Sequence, residues 1–225
     1  MREDLNDSEG ERPFLPFLVY LILFFGAWII WVLEIYPLLV QLRNTTLLYA
    51  LINILLRSLF WVLPVFLYLR FIDHVDPFEY LKLRQYWKRG VVVGLGFFAL
   101  NFALSLVAYG VPTIKPEAFT WNSVVGTSVL IGFIEEIPFR GFILQKLQER
   151  MNFWLANLIS SVLFLLIHFP GWISLNLMTG RGVILVFVFG FVMAMLLRFT
   201  KSLWSSIVAH SSNDFLAFSI FRITG

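Results

Sequence analysis

The chain has 225 residues, 59% of them hydrophobic and 14% charged, with a formal net charge of +3 and a mean hydropathy of +0.82. A soluble domain has about 25% charged residues, so this composition excludes a soluble fold, which could not cover so much apolar surface. With no cysteine, disulfides, thiolate zinc sites and a cysteine nucleophile are excluded, and positive charge dispersed over loops gives no patch for nucleic acid.

Several segments reach the roughly 18–20 residues that cross about 30 Å of hydrocarbon. Alternating ten-residue strands are absent, so a membrane β-barrel is not indicated. The fold class expected is all-α, a polytopic transmembrane helix bundle. In chain order, residues 1–13 (MREDLNDSEGERP) form a short acidic tail with no basic n-region or small-residue cleavage site, read as cytoplasmic. Residues 14–225 follow as a single transmembrane domain, in which 121–225 form the motif-bearing core.

Candidate spans fall near 14–36, 47–69, 90–110, 121–147, 152–169, 182–199 and 203–221, with Pro37 bending or ending the first. An eighth, short or re-entrant helix fits around Gly171–Thr179. Arg70, Lys82, Arg84, Lys88 and Arg89 crowd one loop, and Lys146 with Arg150 and Arg198 with Lys201 fall on the same side by alternation. The opposite loops hold only Arg43, Lys115 and Arg181. Lys and Arg favour the cytoplasmic face, so the N-terminus is placed inside and the C-terminus outside, in a membrane expected to be the bacterial plasma membrane. Trp87, Trp121, Trp154, Trp172 and Trp204 sit at span ends, where indoles favour the interface. No internal repeat of the transporter kind is visible.

Chemistry gathers in three late spans. An ionised residue at the centre of a membrane helix costs about 2.5–3.5 kcal/mol on insertion scales, yet 121–147 carries Glu135, Glu136 and Arg140. Residues four apart share a helix face, so Glu136 and Arg140 can pair while Glu135 points about 100° away. That leaves Glu135 as the unpaired, desolvated carboxylate, suited to a general base. Pro138 removes a hydrogen bond within this helix, and Gly141 permits close approach. His168 lies late in its span, one turn after Phe164. His210 precedes Asp214 by one turn, with Asn213 beside it. His74 sits among loop aspartates and reads as solvated. Arg57 reads as a snorkelling or carboxylate-pairing residue, and Glu34 as interfacial.

Glu-Glu-x-x-x-Arg at 135–140, Phe-x-x-x-His at 164–168 and His-x-x-x-Asp at 210–214 resemble the three motifs of the CAAX-protease and bacteriocin-processing (Abi) family. These are intramembrane glutamic endopeptidases that include the Ras-converting enzyme. The Phe-Arg-Gly after the glutamates and the RFTKSLWSSIVAH run are also similar, so the resemblance covers Val124 to Phe215. It implies hydrolysis of a peptide bond in a membrane-associated peptide or protein, with the lipid bilayer as the surroundings. Glu135 and His168 would activate a water, and His210 with Asp214 would form the oxyanion hole, supported by Glu136, Arg140, Asn213 and Phe164. The family carries Asn or Asp at the last position, and an ionised Asp214 cannot donate to an oxyanion.

No cofactor is expected. A zinc site of Glu135, His168 and His210 is the alternative within the enzyme class, although Arg140 would oppose a cation. Outside that class stand a non-catalytic bacteriocin-immunity or scaffold protein that binds a peptide in the same cavity, and a proton-coupled transporter.

Overall fold

The computed structural model describes residues 14–40, 47–113 and 119–221. The acidic tail, Arg43 and Lys115 lie outside the described residues. No strand occurs among those described, and the chain is a polytopic helical bundle. Its long elements are α1 (Leu15–Leu39), α2 (Leu47–Phe71), α3 (Trp87–Tyr109), α4 (122–148), α5 (Phe153–Ser174), α6 (Gly180–Thr200) and α7 (204–220). Among the described residues, α1, α2, α3, α5 and α6 are long and apolar enough to cross a membrane. The two not among these, α4 and α7, are those that carry Glu135, Glu136, Arg140, His210 and Asp214.

Prolines accompany several of the helix irregularities. α1 continues past residue 36, and its turns widen over Trp31–Ile35, just before Pro37, which has no N–H to offer the preceding turn. α2 is interrupted at Val62, two residues ahead of Pro64. α4 widens over Ile137–Ile143, which begins next to Pro138. α5 runs regularly over Phe153–Leu166, breaks at Ile167 and His168, and resumes as Phe169–Ser174 with Pro170 in its first turn. That last turn of helix begins where an eighth element was expected, and it continues α5.

The centre of the bundle is α4. Ile134, Ile137, Phe139, Phe142, Ile143 and Leu144 are all under 2% exposed. Around them pack Phe17, Tyr20 and Phe24 of α1, Trp61, Val65 and Leu69 of α2, and Phe164 of α5. The Phe142 ring meets Tyr20 and Tyr68 edge-on at 4.8 and 4.9 Å, and Phe139 meets Phe164 at 5.2 Å. The outer faces are apolar and open, as at Leu15, Ile22, Val92 and Val107. A bilayer matches that surface, and the charged helix is screened from lipid by its neighbours.

Without a water-driven hydrophobic force between helices in lipid, close backbone approach has to supply packing. A Cβ on Gly90 would lie 2.7 Å from Ser202 Oγ, and one on Gly94 2.6 Å from Val208 Cβ, so α3 seats directly on α7 and the turn before it. A Cβ on Gly132 would lie 2.6 Å from the Ile207 carbonyl oxygen and 2.9 Å from the Ser211 nitrogen, so α4 and α7 touch backbone to backbone.

Loop contacts gather the basic residues at one end. Lys146 Nζ reaches Asp73 at 3.1 Å and Glu149 at 2.8 Å, and Tyr80 donates to Glu149 at 2.8 Å. The Leu203 N–H donates to the Lys82 carbonyl at 3.1 Å. Residues 72–86, the end of α4 and the α6–α7 turn therefore share one face of the bundle.

The helix contact at Gly132 is testable. Gly132→Ala is expected to destabilise by about 1–3 kcal/mol, because backbone on both sides must move. Gly96→Ala, which meets nothing within 4 Å, is expected to be neutral or slightly stabilising. Thermal unfolding of the two variants in detergent, side by side, checks both.

Candidate active site

Glu136 and Arg140 form the predicted i, i+4 pair, Nη1 to Oε1 at 3.0 Å, with both side chains no more than 1% exposed. Arg140 uses its other arm too: Nη2 donates to the Gly190 carbonyl of α6 at 2.9 Å. Its guanidinium carbon stands 4.1 Å from the centre of the Phe164 ring. Gly190 has no room for a side chain here, since its Cβ would lie 3.0 Å from Arg140 Nη2 and 3.2 Å from Phe164 Cδ1.

The same Glu136 Oε1 accepts a second bond from His210 Nδ1 at 2.7 Å. A carboxylate only accepts, so Nδ1 carries the proton and Nε2 faces the site. From there Nε2 lies 3.8 Å from Glu135 Oε2 and 3.7 Å from Asp214 Oδ2. Such gaps are too long for direct hydrogen bonds and suit a bridging water. The imidazole is walled by aromatic edges, Phe189 at 4.9 Å and Phe164 at 5.9 Å.

Glu135 differs from the sequence reading, which left it unpaired. Arg57 of α2 donates through Nη2 to Glu135 Oε1 at 2.8 Å. Of the two roles open to Arg57, it takes carboxylate pairing. Its guanidinium stands against the rings of both Trp28 and Trp61, at 5.5 and 5.3 Å. Pairing satisfies a side chain only 10% exposed and fixes which oxygen of Glu135 turns toward His210. Two neighbouring carboxylates on one helix are thus matched by cations from different elements, because they point about 100° apart.

His168 sits in the α5 break, where Pro170 cannot continue the hydrogen-bond ladder. Its Nδ1 donates to the Phe164 carbonyl at 2.9 Å, which leaves Nε2 as the acceptor. The freed Ile167 carbonyl accepts from Trp28 Nε1 at 2.6 Å, tying the break to α1. The Phe164 ring contacts both imidazoles, at 5.0 Å to His168 and 5.9 Å to His210.

Asp214 is oriented by a chain of amides. Asn101 Nδ2 of α3 donates to Asn213 Oδ1 at 2.9 Å, and Asn213 Nδ2 donates to Asp214 Oδ1 at 3.1 Å. Asn101 was not singled out from sequence, although an amide in the apolar run of α3 was signal enough to find it. Glu135, Glu136, Arg140, His210, Asp214, Phe164 and Asn213 are thus joined by direct or near contacts, and His168 is linked through Phe164. Among the described residues no group of three or more His, Asp or Glu side chains is arranged to hold a metal ion. A guanidinium already occupies the Glu135 oxygen at 2.8 Å, where a metal would compete with it. His74 lies in the loop after α2 with φ 56°, and Glu34 lies in the widened turn of α1.

Fold and site together define a polytopic helical membrane protein built round a buried carboxylate–imidazole centre. Residues 116–216 match the family model described as Rce1-like, type II CAAX prenyl endopeptidase Rce1-like. The resemblance that the three motifs imply is thus shown over that stretch, which contains all of them. The chain is also 34% identical over 87 residues, 39% of its length, to the protein named "Putative membrane peptidase YdiL" of Bacillus subtilis (strain 168). The matched stretch covers 32% of that relative. No solved structure matches. Arg57 and Asn101 lie outside the matched region.

Removing one partner of a buried pair strands the other charge. Arg140→Met is therefore expected to destabilise by about 3–5 kcal/mol. Glu136→Gln/Arg140→Met is expected to recover part of that loss. A double-mutant cycle on thermal unfolding checks this, and additive losses would mean that the pair is not coupled.

Proposed function

We propose that this chain is an intramembrane endopeptidase that hydrolyses a peptide bond of a membrane-associated peptide or protein without a covalent intermediate. The carrying observation is the Glu135 carboxylate, clamped at one oxygen by Arg57 while the other faces His210 Nε2 across 3.8 Å.

In this reading a water between Glu135, His168 and His210 gives a proton to Glu135. His168, with its Nε2 lone pair free, accepts a hydrogen bond from the remaining O–H and aims the oxygen. The hydroxide attacks the carbonyl carbon, and the carbonyl π electrons move onto oxygen. The C–N bond then breaks as the proton on Glu135 passes to the leaving amine. Around this water stand three carboxylates and two guanidiniums, so one further proton makes the site neutral. Placed on His210, it turns Nε2 into an N–H donor for the oxyanion, worth about 3–4 kcal/mol in a buried setting. Asp214, already accepting from Asn213, then orients and balances that imidazolium rather than donating.

The similarity over residues 116–216 to a CAAX-type endopeptidase family, and to a protein named as a membrane peptidase, supports the same reaction class. The basic residues at one end of the bundle support an N-terminus on the cytoplasmic side of a bacterial plasma membrane. A non-catalytic peptide binder would keep the same residues, so the variant has to remove the base and little else.

Purified wild type and Glu135→Gln are compared on a membrane peptide in detergent. The expected loss for the variant is about 10²–10⁴-fold in kcat with its unfolding temperature kept within a few degrees. Equal product from both would end this mechanism. Arg57→Lys is expected to keep most of kcat and Arg57→Gln to lose it with KM little changed, and chelation of divalent ions is expected to leave the rate intact.

A further inference from the structure

At the basic end of the bundle, away from Glu135, lies a cavity of about 200 Å³ lined by Lys82, Gln85, Leu144, Gln148, Arg198 and Lys201, with Phe153 and Leu197 in its wall. Three cations converge on it, and none of them forms an ion pair among the described residues. Two other cations at this end are paired: Arg84 lies 3.1 Å from Asp76, and Lys146 lies 3.1 Å from Asp73.

The backbone presents two of these lysines at a cost. Lys82 has φ 53° and Lys201 φ 57°, the left-handed region that glycine enters freely and a side chain with a Cβ does not. Lys201 is the residue that ends α6, its N–H capping the Leu197 carbonyl at 2.8 Å. Glycine is the usual residue there. Lys82 is pinned in turn by the Leu203 N–H on its carbonyl at 3.1 Å. Two lysines in glycine conformations, aimed at one cavity, are accounted for if their ammonium groups have work to do.

Arg198 is pre-oriented by stacking, its guanidinium carbon 4.2 Å from the Phe153 ring centre and 5.3 Å from that of Trp154. The Lys82 ammonium is held below its ordinary range by partial burial and by the charge on Lys201, a repulsion that an anion between them relieves. The two glutamine amides add neutral donors. Leu144, Phe153 and Leu197 back the cavity from the core, and the cavity lies at the basic end of a membrane bundle, where lipid headgroups present phosphate.

We infer that this cavity binds the phosphate of an anionic lipid headgroup, gripped by Lys82, Arg198 and Lys201, with the lipid's acyl part remaining in the surrounding bilayer. The chemistry is that of a basic pocket between membrane helices at the headgroup level. It does not depend on the peptidase reading.

The full chain in non-ionic detergent is titrated separately with short-chain phosphatidylglycerol, with phosphatidylcholine of the same chain length and with inorganic phosphate, following the unfolding midpoint. Phosphatidylglycerol is expected to raise the midpoint saturably, by about 2–4 °C, and phosphatidylcholine to leave it unchanged. Lys82→Gln/Lys201→Gln is expected to raise the half-saturating concentration by about tenfold or more. Lys82→Arg/Lys201→Arg, which keeps both charges, is expected to stay near wild type. If the glutamine variant does not fold, Arg198→Gln takes its place, with a smaller loss expected. Arg70→Gln/Lys88→Gln removes the same charge from exposed positions near this end and serves as the control. Equal loss in that control would reduce the effect to diffuse attraction and overturn the site. Stabilisation by inorganic phosphate at the same concentrations as the lipid would overturn the lipid as its source.

Discussion

One buried carboxylate organises this bundle. Glu136 is fully buried at the centre of α4, where an unpaired charge costs several kcal/mol even after relaxation. Its Oε1 is met by Arg140 from the next turn and by His210 from α7. Arg140 then needs its own partners, and finds the Gly190 carbonyl of α6 and the face of Phe164 on α5. A single desolvated charge thus ties four helices together through directional contacts. The glycines at 132 and 190 are consequences, since they are where backbone has to come close enough for those contacts to form.

Glu135 is the second carboxylate and obeys the same physics with a different outcome. One residue further round the helix, it cannot share Arg140 and instead draws Arg57 from α2. Arg57 in turn rests against two tryptophans, one of which also caps the broken end of α5. The first two helices are therefore part of the site's electrostatics, although the family match begins only at residue 116. A core made of the motif-bearing α4, α5 and α7 alone would leave Glu135 without its counter-charge and Asn213 without Asn101. Both carboxylates are held through one oxygen, but the other oxygen of Glu136 is buried without a partner, whereas that of Glu135 turns toward His210 Nε2 at 3.8 Å.

Much of this was legible in the sequence, and the part that was not has one cause. The helical class follows from hydropathy, since no other backbone satisfies itself across a bilayer without closing into a barrel. The Glu136–Arg140 pair follows from a period of 3.6, and the sharing of a face by His210 and Asp214 from the same rule. Local periodicity says nothing of which helix stands opposite, so Arg57 could be read as a carboxylate partner but not assigned to Glu135. Asn101 went unremarked for the same reason: its partner lies 112 positions away. The run 121–147 reads as a span by length. Its burial at the centre of the bundle, with the five more apolar helices taking the lipid-facing positions, is a tertiary fact.

Asp214 shows how a packed environment bears on what a motif leaves open. Taken alone, an Asp four residues after His210 conflicts with any role that requires a donor. In the structure its Oδ1 accepts from Asn213, whose own oxygen is held by Asn101, so the amide cannot flip without losing a bond at each end. Oδ2 is left toward His210 Nε2 at 3.7 Å. That arrangement presents an acceptor to the imidazole and no hydrogen to a substrate. In the proposed mechanism donation then falls to His210 alone, on the nitrogen that Glu136 does not hold. Its second proton is stabilised by carboxylates on two sides, and an Asp serves that purpose better than an Asn, because it contributes the charge that the imidazolium balances.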